Sequence, residues 1–126
     1  MRLDVWFIGV ALLFMFAGEF VGEWMARSHD HSFALVHSHI NVIGWATFAL
    51  FGLIHRNYPA LGQSALALPQ FVLATASALF FIGGMWVIWL IGEPFGAIAG
   101  AYGLMIATAL FITMFFQQVV FAKSKP

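Results

Sequence analysis

The chain has 126 residues, 63% of them hydrophobic and 8% charged, with mean hydropathy +0.95 and a formal net charge of zero. Five basic and five acidic side chains cannot coat a soluble domain of this size, so the bilayer is the expected solvent. The lack of cysteine excludes disulfides, thiolate metal sites, Fe–S clusters and covalent c-type haem, and balanced charge without a basic run argues against nucleic acid as a partner.

The first apolar segment runs from Asp4 to about Ala26. It is long enough to span. Gly18-Glu19-Phe20-Val21-Gly22-Glu23 stands where a signal peptide would need its small-residue cleavage site, so a spanning helix is expected instead. Arg27 to Ser32 forms a polar loop, and the second helix follows from about Phe33 to His55, stopping at Arg56-Asn57-Tyr58-Pro59. Leu61 to Leu68 is only weakly apolar, and Pro69 reads as a helix-start proline for a third helix over about Gln70 to Ile91. Gly92-Glu93-Pro94 makes a turn, and the fourth helix covers about Phe95 to Phe121. The pattern predicts an all-α membrane protein, a single domain over residues 1–126 with four transmembrane helices.

An even number of helices puts both termini and the loop between the second and third helices on one side. That side carries Arg2, Arg56, Lys123 and Lys125, the other only Arg27, so the termini are expected in the cytoplasm of a bacterial inner membrane. His29, His31, His37 and His39 then lie at or just below the outer surface. Glycines at 18, 22, 44, 52, 83, 84, 96, 100 and 103 are expected to pack helices closely.

The chemistry centres on His37 and His39, which open an apolar run ending at Gly52. Ionisable groups at membrane depth are expensive to keep, which favours a ligand role. At about 100° per residue the two rings point roughly 200° apart, so one helix cannot easily aim both at one metal. Imidazole suits haem iron, copper, zinc or nickel, and the apolar, aromatic surroundings favour a large apolar cofactor over a bare cation. His55 lies about 24 Å further along the same helix and reads as an interfacial residue. Glu19 and Glu23 share a face one turn apart; with His29, Asp30 and His31 they are weaker candidates for an outer metal site, a solvated polar loop being the plainer reading.

The run HSHINVIGWATFALFGLI, with its His37-x-His39 pair and Gly44 and Gly52 downstream, resembles a helix of the catalytic subunit of haem–copper oxidases and nitric oxide reductases. In that family an His-x-His pair near the outer surface ligates two different haems. The resemblance covers about twenty residues. The family's twelve-helix subunit is built as three arcs of four helices, and this chain looks like one arc. The resemblance therefore implies a twelve-helix homotrimer in which His37 of one chain and His39 of the next ligate the same b-type haem, one haem per chain. A homodimer pairing His39 with His39 is the competing assembly. No second histidine cluster for copper and no His-x-x-x-Tyr pattern occurs, Tyr58 and Tyr102 being the only tyrosines, so oxidase activity is not expected.

The function expected is that of a membrane b-type haem protein serving electron transfer or redox or gas response, with an unknown redox partner. Two rivals stand beside it. One is a copper- or zinc-binding or transport protein using Glu19, Glu23, His29, His31, His37 and His39. The other is a structural accessory subunit without a cofactor.

Overall fold

The computed structural model describes residues 1–122 and is helical throughout apart from short turns. Four helices are long and apolar enough to cross a membrane: α1 (Leu3–Ser28), α2 (Ala34–Asn57), α3 (Ala67–Ile91) and α4 (Phe95–Val120). At 1.5 Å per residue each is about 36–39 Å long, against a hydrocarbon core of about 30 Å. Leu13, Phe16, Phe20, Leu90 and Met105 cover the outside, as a lipid-facing surface requires. The chain is an integral membrane protein. Lys123 and Lys125 lie outside the described residues.

The helices pair as two hairpins, α1 with α2 and α3 with α4. Apolar side chains gain little by leaving lipid for one another, so helices associate where backbones can approach closely. Glycine supplies that approach here. A Cβ on Gly44 would lie 2.5 Å from the Phe14 ring, and one on Gly52 would lie 2.6 Å from Ile8. In the second hairpin, Gly84 meets the backbone of Gly96 and Ala97, Gly100 meets Phe81, and Gly103 meets Ser77. Gly83, by contrast, has nothing near it.

Both hairpins close through a left-handed residue that stops the first helix: His29 at φ 57° after α1 and Gly92 at φ 73° after α3. Aromatic rings then lock the hairpins together at each end. Near the two turns, Phe33 packs at a tilt against Trp86 and Trp89, at 4.0 and 4.7 Å between centroids. At the opposite end Phe7 contacts Phe48, Phe51 and Phe71, while Phe51 meets Phe111 at 4.4 Å.

Two features depart from the sequence expectation. The third helix begins at Ala67, which puts Pro69 inside the first turn, where its missing N–H has no helical partner to lose. The weakly apolar stretch before it is no plain linker. Residues Pro59–Gln63 form a 3₁₀ turn whose Leu61 is fully buried and closes that end of the bundle.

Candidate functional site

Helix α2 is not a uniform α-helix. It is α-helical over Ala34–His39, π-helical over Ile40–Ala46, and α-helical again from Thr47 to Asn57. The wider winding shows in the bond from the Thr47 N–H to the Val42 carbonyl, which the Thr47 hydroxyl also reaches at 2.7 Å. π segments recur at functional sites, and this one begins on the residue after His39. It packs against α1, with Asn41 beside Gly18 and Gly44 beside Phe14, as does the α-helical stretch that follows it. No hydropathy pattern signals it, because an extra residue in one turn leaves the apolar run intact.

The two histidines leave the helix on different sides. His37 is half-buried against α1: its Cε1 lies 3.0 Å from where a Gly22 Cβ would be, so Gly22 is the notch that admits the ring. Asn41, one turn on, donates from Nδ2 to His37 Nε2 at 3.2 Å. With Nε2 accepting, a neutral ring carries its proton on Nδ1, and that atom is buried without a partner. Turning the Asn41 amide over reverses the assignment, with Nε2–H donating to Oδ1 and Nδ1 left as the bare nitrogen.

His39 is half-buried on the side facing α3, its ring 5.3 Å from that of Phe81. Its Nδ1 donates to the Leu35 carbonyl at 2.8 Å. A carbonyl can only accept, so Nδ1 holds the proton and Nε2 keeps its lone pair. A ring N–H given to a backbone carbonyl is how metal-ligating histidines fix their tautomer. The apolar neighbours of both rings and the unpartnered nitrogens suit an imidazole-ligated, largely apolar cofactor such as haem. His37 reaches that role only when Asn41 releases or turns.

The remaining candidates do not gather around this pair. Among the described residues, no group of three or more His, Cys, Asp or Glu side chains is placed to hold a metal ion. Glu23 is exposed and pairs with Arg27 one turn away, at 2.9 Å to Nε. Glu19 is exposed to the outside of the bundle, about 13 Å in from the end of α1, with no ion pair among the described residues. His29 is the left-handed residue that ends α1. His31 is exposed in the turn, where Asp30 Oδ1 accepts from the Ser32 backbone N–H at 2.9 Å and from its hydroxyl. The Ser32 hydroxyl first, then the Ser32 backbone N–H, hold the Asp30 carboxyl below its usual range.

His55 stands near the end of α2, as expected, but is buried there. It is 4% exposed, stacked on Phe7 at 5.3 Å and close to Phe111, with Nε2 unpartnered. Closure of the bundle end by Phe7, Phe111 and the 3₁₀ turn buries a ring that the linear sequence puts beside the charged Arg56. Gln70 on α3 is also fully buried, and neither side-chain polar atom has a partner. Sequence reasoning passed over Gln70 and Asn41. Asn41 carried a signal, since it follows His37 by one helical turn inside an apolar run.

No protein-family model matches the chain, and no curated protein and no solved structure matches it either.

Proposed function

We propose that this chain is a membrane b-type haem protein working in electron transfer or in redox or gas response, with its haem held between subunits by His37 of one copy and His39 of the next. The observation that carries the reading is the opposed exit of the two rings, His37 towards Gly22 on α1 and His39 towards Phe81 on α3. His39 is prepared as a ligand within a single chain, with its Nδ1 proton committed to Leu35. One chain places no second imidazole beside it, so a bis-histidine site requires a partner chain. A closed ring of identical subunits satisfies every such site without leftover ligands, and the resemblance to a four-helix arc favours three copies over two. Bound haem would supply one-electron transfer, and two imidazole ligands make outer-sphere transfer the default. Asn41 is a positioning residue in this reading, because it selects which nitrogen of His37 is bare.

The experiment is a pair of absorption spectra, oxidised and reduced, on the purified protein, with the assembly mass measured alongside. A low-spin b-type spectrum with one haem per chain in a trimer is the expected result. His37→Ala and His39→Ala should each abolish or alter the spectrum, while His55→Ala should leave the haem bands unchanged. A colourless protein carrying stoichiometric copper or zinc would favour the metal-transport reading, and a colourless metal-free one the accessory-subunit reading. A monomer with a bis-histidine spectrum would refute the shared site.

Orientation belongs to the same proposal. Arg2, Arg56, Lys123 and Lys125 on one side of the sequence against Arg27 on the other support cytoplasmic termini and an outward His37–His39 end, in a bacterial inner membrane by this reading. A reporter fused after Pro126 that is active only outside the membrane would reverse it.

A further inference from the structure

A second polar site lies at the opposite end of the bundle from the histidine pair. A cavity of about 350 Å³ opens there, lined by Arg2, Asp4, His55 and Arg56 among others. Asp4 sits between two guanidiniums. It takes a forked contact from Arg2, at 2.8 and 3.4 Å, and faces Arg56 at 3.9 Å. Its side chain is 13% exposed, whereas those of Arg2 and Arg56 are 69% and 63% exposed. The carboxylate therefore holds Arg2 by hydrogen bonds, lies within reach of Arg56, and cancels only one of their charges. Each guanidinium has five N–H donors, and the contacts to Asp4 leave several on both free to face outward. His55 also lines the cavity, almost wholly buried and with Nε2 lacking any partner.

Two neighbouring guanidiniums, an unsatisfied imidazole and a net positive charge suit a compact oxyanion. The level in the membrane narrows the choice. Arg2 precedes the first residue of α1 and Arg56 is the penultimate residue of α2, so the cavity stands where lipid phosphates lie. Basic pockets between helix ends bind anionic headgroups in this way. We infer that the Arg2–Asp4–His55–Arg56 cavity binds a phosphate group, the arginines taking its oxygens and His55 forming part of the lining. An anionic headgroup suits the net charge better than a zwitterionic one, whose ammonium would meet the arginines. The inference is independent of haem, since no residue is shared with the His37–His39 pair.

The test is native mass spectrometry of the full chain released from phosphatidylcholine membranes with and without phosphatidylglycerol. Wild type should retain one phosphatidylglycerol per chain, and the double variant Arg2→Gln, Arg56→Gln should retain it about ten-fold less. Ring-nitrogen NMR of ¹⁵N-histidine protein in the same membranes provides a readout that needs no variant. One imidazole should shift when phosphatidylglycerol is added. A shift produced by inorganic phosphate in phosphatidylcholine membranes, without phosphatidylglycerol retention, identifies free phosphate as the source. The absence of any shift with either probe overturns the site, as does undiminished retention by the double variant.

Discussion

The first 57 residues hold all five histidines and every acidic or basic side chain of the described residues except Glu93, which stands alone in the second hairpin. The first hairpin buries aromatic rings between its helices and interrupts α2 with a π segment. The second is closed by glycine against backbone and turns π-helical only at its far end, over Phe116–Val120. Close backbone packing thus suffices to pair helices in lipid, and polar groups are not needed for that purpose. Their concentration in the other hairpin points to work rather than assembly, since such groups are costly at membrane depth.

The comparison breaks most sharply at Gly84. A methyl there runs into the backbone of Ala97, which cannot give way as a side chain can. Gly84→Ala should cost about 3 kcal/mol and Gly84→Val should prevent the α3–α4 hairpin from forming. Gly83→Ala, one residue away and facing open space, should stay within about 0.5 kcal/mol. Unfolding in mixed micelles would separate the two, and equal losses would show that glycine contact does not hold this hairpin.

In the first hairpin the corresponding weight falls on aromatic packing. Phe7 is fully buried against Phe48, Phe51, Phe71 and His55. Phe7→Ala should cost about 3 kcal/mol, while Phe16→Ala on the lipid face should cost less than about 0.5 kcal/mol. The same unfolding measurement checks both, and a Phe7 variant as stable as wild type would remove the aromatic cluster from the account.

The two turns offer a smaller contrast. Gly92→Ala should lose about 1 kcal/mol because its left-handed backbone disfavours a side chain. His29→Gly should be neutral or gain up to about 1 kcal/mol at the equivalent position. Unchanged metal content in His29→Gly would also fit a capping role for that residue rather than a ligand role.

The smallest effect expected is from pH at Asp30. Its folded pKa is depressed by Ser32, so its contribution to stability is present above the unfolded value of about 3.9 and fades as pH falls through the lower folded value. Asp30→Asn should remove that acid-side slope, with a small loss of stability near neutral pH and none below the folded value. A slope that persists in the variant would assign it to another carboxyl.

Much of this was legible in residue order alone. Four helices, their turns and the opposed directions of His37 and His39 follow from apolar run length, from Gly92-Glu93-Pro94 and Asn57-Tyr58-Pro59, and from the helical repeat. These are local properties, set by hydropathy over about twenty residues and by backbone chemistry at single positions. What the two rings touch was settled by the partner helix. Gly22 admits His37, Asn41 reaches back to it across one turn, and Phe81 stands beside His39. The burial of His55 and Gln70 likewise depended on Phe7, Phe111 and the 3₁₀ turn closing one end of the bundle. A ring's exposure and its free nitrogen depend on residues distant in sequence, and only the packed helices bring those residues together.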